Sequence, residues 1–222
     1  MNKFINALLL FLLFPTMLFT IAVGFDMPIE FLRTSGQQLP YRFEIFMAFG
    51  LFTFIILLRR TVRRWMGMRL VNQLEKFKWN KQMSQERIKR VIVYTIMEAI
   101  VLFFVGSTLY TITQEALFPA IAFWFATTDN FIFLAYGVSL KKFRIGVTSK
   151  AIIAADREVS LVYFYGLRKI SIHQQSLFFD YIKGLQLSFP VDCVPDTEND
   201  AFFDAVEAQV NTDKVFITKL RD

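Results

Sequence analysis

One cysteine and one histidine in 222 residues leave too few soft ligands for a structural zinc site and no second thiol for an internal disulfide. Cys193, in Phe189-Pro190-Val191-Asp192-Cys193, reads as a half-buried loop thiol, since no basic neighbour is present to lower its pKa. His173 ends an expected strand and is followed by Gln174, Gln175 and Ser176, none of which would orient an imidazole as a general base. No glycine-rich phosphate loop and no metal-protease helix occurs. The acids Asp192, Asp196, Glu198 and Asp200 lack the glycine and terminal Glu of a calcium loop, and a solvated helix start explains them. No catalytic residue, metal or cofactor is therefore assigned.

What the chain has is apolar length. Hydrophobic residues make up 55%, Phe alone occurs 27 times, and the mean hydropathy is +0.41, more than an ordinary soluble domain carries. The excess sits in the first 140 residues as four runs, at about 4–24, 43–58, 91–112 and 117–140, each near the ~20 residues a bilayer-crossing helix needs. The second is short and flanked by arginines that can snorkel. Only Thr113 to Ala116 separate the last two, which predicts a tight antiparallel hairpin. Lys3 and Ala22-Val23-Gly24 also fit a cleavable signal peptide, with an uncleaved span the preferred alternative.

Residues 59–90 hold eleven Lys or Arg against Glu75 and Glu86, a local balance of +9 in a chain of net +6, so all other residues sum to −3. Short basic loops stay in the cytoplasm. The expected protein is thus a multi-pass protein of the cytoplasmic membrane with both termini cytoplasmic. The pI near 9.5 then points to anionic lipid headgroups. Nucleic acid is not expected, because residues 143–222 carry nine bases against eleven acids, with no clustered patch.

Within the basic loop, Val62, Trp65, Met66, Leu70, Leu74 and Phe77 recur at helical steps. They predict either an interfacial helix on the inner leaflet or a cytosolic extension of the second span. The lipid-binding residues expected from this pattern are Arg59, Arg60, Arg63, Arg64 and Arg69, with Trp65 as interfacial anchor. Ser84 or Asn80 is placed to cap the helix into the third span. Glu98, Asp129 and Asn130 lie inside expected spans, with the two acids about 12 and 18 Å from the charged edge at ~1.5 Å per residue. Such depth costs a charge on the order of 2.5 to 3.5 kcal/mol. Either the acids share an ion or proton site, or they hydrogen-bond to Thr95, Ser107, Thr108, Thr127 or Thr128 across helices. No third deep acid, broken helix or repeat accompanies them.

After Arg144, short runs rich in Val, Ile, Phe and Tyr replace the long ones. Strands are expected at 145–148, 151–155, 159–165, 168–173, 177–182 and 185–189, joined by turns too short for parallel crossovers, with a last short strand at 215–218 after a helix. That helix, capped by Asp196 or Thr197, should bury Phe202, Phe203, Val206 and Val210. The division is thus 1–142, a four-helix transmembrane region with its basic loop, and 143–222, an α+β domain.

The meander through Val159-Ser160-Leu161-Val162-Tyr163-Phe164 and Arg168-Lys169-Ile170-Ser171-Ile172, then the approach from Pro190 to Asp200 into an amphipathic helix, resembles the bacterial pleckstrin-homology-like domains of small membrane proteins, including the YcxB-like group. The resemblance covers roughly residues 143–210. It implies a bent antiparallel sheet closed by one helix, and an interaction domain instead of an enzyme. Lys150 and Arg157 are not the clustered bases with which phosphoinositide-binding members hold headgroups, so that specificity does not carry over. Residues 213–222 extend past the usual pattern. The expected function is a non-enzymatic, membrane-anchored scaffold whose domain docks a protein partner or the inner-leaflet surface, with a second copy of the chain as a further partner class. The alternative is a small channel, transporter or sensor using Glu98 and Asp129.

Overall fold

The computed structural model describes residues 2–30, 33–173, 176–182, 184–210 and 215–217. The side chains of Lys3 and His173, the turn residues Gln174, Gln175 and Lys183, and the segment after Ile217, Thr218 included, fall outside that description. Four helices are long and apolar enough to cross a membrane: α1 (Asn2–Gly24), α2 (Arg42–Val71), α3 (Gln85–Ile112) and α4 (Leu117–Ser139). Ser84 caps α3 as expected, its hydroxyl accepting the Arg87 N–H at 3.1 Å. α2 differs from the expected short span. At 30 residues it is about 45 Å long, because Arg59, Arg60, Arg63 and Arg64 are good helix formers and nothing before Val71 breaks the ladder. Of the two readings of residues 62–77, an interfacial helix or an extension of the second span, α2 matches the extension as far as Val71, with Leu74 in a 3-10 turn (Leu74–Lys76).

The strands are β1 (Pro28–Ile29) and β2 (Thr34–Ser35), a small antiparallel pair, then β3 (Trp79–Gln82), β4 (Arg144–Val147), β5 (Ala151–Ala155), β6 (Val159–Tyr163), β7 (Leu167–His173), β8 (Ser176–Tyr181), β9 (Gln186–Pro190) and β10 (Phe216–Ile217). Helix α5 (Asn199–Glu207) follows β9. The strands from β4 onward match the sequence reading. One bent antiparallel sheet does not: the ladders form two four-stranded sheets, β3-β4-β5-β6 and β10-β7-β8-β9, and β10 runs parallel to β7. The expected caps also differ. Asp196 and Thr197 lie in a 3-10 turn (Asp196–Glu198), and Glu198 occupies the cap position without a side-chain capping bond.

β3 was not expected, since Trp79-Asn80-Lys81-Gln82 has no β-branched residue. It pairs in register with β4, Trp79 opposite Val147 and Gln82 opposite Arg144. The α3–α4 hairpin is thus inserted in the chain between two paired strands. Glycine is required opposite it, because a Cβ on Gly146 would lie 2.3 Å from the Phe77 ring.

The chain divides into two compact units, Met1–Val62 with Thr95–Ile132, and Arg63–Tyr94 with Phe133–Asp222. In the first, Phe46, Leu57, Leu109 and Phe123 form the centre of an apolar core. Small residues let its helices approach: a Cβ on Gly50 would lie 2.6 Å from Phe118 Cβ, and one on Gly106 3.1 Å from the Ala120 carbonyl. Arg42 and Glu115 pair at 2.9 Å.

The second unit joins both sheets and α5 to the ends of three long helices. Met68 from α2, Ile88 and Val91 from α3, and Phe133 and Leu134 from α4 share one core with Phe143, Ile145, Phe179, Phe189 and Phe202. Burial of each such phenylalanine contributes about 1.5–3 kcal/mol. The boundary expected at 142/143 therefore falls inside this unit, and residues 63–94 belong with the sheets.

Candidate functional site

Of the six residues expected to bind lipid, Arg59 and Arg60 belong to the first unit and Arg63, Arg64, Trp65 and Arg69 to the second. Arg59 and Arg69 are exposed and Arg63 is half-buried. Arg64 is 6% exposed, with its guanidinium 4.5 Å from the centre of the Phe133 ring. Trp65 packs edge-on against Phe133 at 5.3 Å and against Tyr136 at 5.5 Å. Arg60 is taken up in an ion pair. Its two terminal nitrogens donate to the two oxygens of Glu98 at 2.5 and 2.7 Å, the two-pronged geometry that guanidinium and carboxylate share.

Asn130 extends this cluster, donating to Glu98 at 3.2 Å, and the Thr61 hydroxyl donates to Asp129 at 2.6 Å. The structure thus brings Glu98, Asp129 and Asn130 together with α2. Three of the hydroxyls expected as partners make other bonds: Thr127 donates to the Phe123 carbonyl at 3.0 Å and, across to α3, to that of Ala99 at 3.4 Å, and Thr128 to that of Trp124 at 2.9 Å. Ser107 accepts from the Trp124 indole at 3.3 Å. The involvement of Arg60 left no signal in the sequence, where it reads as the charged end of a span. Chemically the cluster ties three helices together at a cationic and an anionic group that satisfy one another.

In the second unit, a cleft of about 630 Å3 opens at the ends of α2 and α4. Its lining combines Trp65, Met66 and Tyr136 with Arg69, Asn72, Gln73 and Lys142. Asn72 fixes the two walls, its amide donating to the Met68 carbonyl at 2.7 Å and the Lys142 carbonyl at 2.9 Å. Sequence reading missed all of these but Trp65 and Arg69, because the residues converge only when α2 continues to Val71.

Elsewhere on this unit, two turns expose apolar side chains side by side. Tyr165 is 94% and Ile182 72% exposed, with Tyr163 and Leu185 beside them. The turns are joined by the Ile182 N–H donating to the Gly166 carbonyl at 3.0 Å and the Tyr181 hydroxyl donating to the Tyr163 carbonyl at 2.6 Å. Burial pushes that Tyr181 hydroxyl above the usual tyrosine range, the Tyr163 bond opposing it.

Of the acids after β9, Asp192 is engaged by the start of α3. Asp192 receives Arg90 at 2.6 Å, Arg87 binds Asp156 at 2.6 and 2.9 Å, and the Ser84 hydroxyl donates to the Asp192 carbonyl. Asp192 and Asp156 thereby hold the start of α3 to the sheets. Cys193 is buried instead of half-buried, and burial pushes its thiol up to about 12, with Arg87 opposing and Asp156 and Asp192 adding to the rise. No group of three or more metal-ligating side chains occurs among the described residues. Comparison of the chain with protein-family models, with curated proteins and with solved structures gives no match.

Proposed function

We propose that this chain is a non-enzymatic interaction protein of the cytoplasmic membrane, with four spans, both termini cytoplasmic, and a pleckstrin-homology-like domain that docks a protein partner. The observation that carries it is the exposed apolar surface of Tyr163, Tyr165, Ile182 and Leu185 on two mutually bonded turns. Aromatic side chains held rigidly on a surface are the anchors that partner interfaces use. The antiparallel order β4-β5-β6, then β7-β8-β9, then α5 supports the domain assignment. β3 is a departure from the resemblance, which began at residue 143. The basic excess of residues 59–90 supports the orientation. The cation-site alternative loses ground because Glu98 is already bound by Arg60 and Asn130.

The test is capture from native membranes, comparing the full chain with Tyr165→Ser/Ile182→Ser and reading partners by mass spectrometry. Both positions are exposed, so the variant should unfold at the temperature of the parent. Proteins lost with the variant identify the docked partner. The same proteins captured by both chains would reject this surface as the docking site.

A further inference from the structure

The cleft at the ends of α2 and α4 has a polarity gradient along both helices. On α2, Trp65 and Met66 precede Arg69 by about one turn, at ~1.5 Å per residue, and Gln73 follows just past the helix end at Val71. On the other wall Tyr136 precedes Lys142. Met66 is 66% exposed, so the apolar end faces outward. Among the described residues neither Arg69 nor Lys142 enters an ion pair. Two uncommitted cations therefore face one cavity that the Asn72 bonds hold open. Lys141 adopts φ of 52°, a left-handed conformation that favours glycine, in the turn that carries Lys142 to Asn72.

We infer that this cleft holds the headgroup of one anionic phospholipid, with its phosphate on Arg69 and Lys142 and its glycerol and upper acyl atoms on Trp65, Met66 and Tyr136. An amphipathic ligand matches the gradient, and its two ends require the two kinds of wall. The volume lies within the range of small-molecule sites. The inference rests on the proposed placement of the helices in a bilayer, but not on the docking surface.

The experiment titrates the detergent-solubilised full chain with short-chain phosphatidylglycerol, with phosphatidylcholine and with inorganic phosphate, reading bound species by native mass spectrometry. Phosphatidylglycerol should bind in preference to phosphatidylcholine. Arg69→Gln/Lys142→Gln should weaken it roughly 30-fold, the product of two losses of about fivefold per basic residue. Lys150→Gln, an exposed cation of the same unit that does not line the cleft, should leave it within about twofold. Equal binding of the two lipids, an equal loss from Lys150→Gln, or displacement of the lipid by millimolar phosphate would each overturn the inference. Should the double variant fail to fold, Arg69→Gln alone carries the test with an expected loss of about fivefold. Partner capture that persists in a lipid-deficient variant would leave the docking proposal standing by itself.

Discussion

Replacing Glu98 by Gln removes the carboxylate that the Arg60 guanidinium binds, in a pair whose two side chains are only 20% and 19% exposed. Breaking a fully buried pair costs about 3–5 kcal/mol, and an exposed pair contributes only about 0.2–1 kcal/mol. The residual exposure places this pair between them, nearer the buried end, so each of Glu98→Gln and Arg60→Gln should destabilise the first unit by about 2–3 kcal/mol. The two-pronged contact at 2.5 and 2.7 Å means the losses are not independent. The double variant replaces ions by two amides of similar shape, and should lie well short of the sum, giving a coupling of about 1.5–2 kcal/mol. The assay is unfolding of the full chain in mixed micelles, followed by circular dichroism as denaturing detergent is increased. Single losses below about 0.5 kcal/mol with no coupling would refute the reasoning and return Arg60 to the surface role read from the sequence.

Glu198 accepts from Lys81 at 2.8 Å, and that bond holds its carboxyl below the usual carboxylate range. Its stabilisation is present above the unfolded value and lost as pH falls through the lowered one, so thermal unfolding of Glu198→Gln should lack part of the parent's decline below about pH 4. A decline identical in both proteins would contradict this. Cys193, buried with its thiol near 12, should resist maleimide in the folded chain at pH 7 and react only on unfolding. Rapid native labelling would show the loop to be open. Against that silent background, a cysteine introduced at Gln38 should react with an impermeant maleimide from outside intact cells and one at Ser149 should not; the reverse pattern would invert the topology. Phe202→Ala, which empties a site 1% exposed beside Trp79 at 5.2 Å, should cost about 3–5 kcal/mol and shift Trp79 emission to longer wavelength. Unchanged stability and emission would place α5 away from β3.

The apolar runs and the alternating strands were legible because each is a local pattern: 151–155 and 159–163 are strand by composition alone. What the sequence could not announce depends on distant partners. Trp79-Asn80-Lys81-Gln82 becomes a strand only because β4, more than sixty residues later, offers a ladder. Arg60 reads as a span's charged end until α3 brings Glu98 beside it. The runs at 91–97 and 131–140 look lipid-facing throughout, yet Val91, Phe133 and Leu134 are apolar for the sake of a core shared with the sheets. Periodicity cannot separate those two reasons, since lipid and a protein interior select the same side chains. For the same reason Arg64 was assigned to lipid although it lies over Phe133.

The central claim is that the domain begins with β3, between the second and third long helices, and not after the fourth. Hydrogen exchange of the full chain in lipid nanodiscs, resolved by mass spectrometry over residues 72–84, tests it most directly. The Lys78 N–H donates to the Val147 carbonyl at 2.8 Å and the Met83 N–H to that of Phe143 at 3.1 Å, so these amides should exchange as slowly as those of β4 and β5. Exchange across 78–83 at the rate of an unstructured loop would contradict the claim and return residues 59–90 to a basic segment separate from the domain.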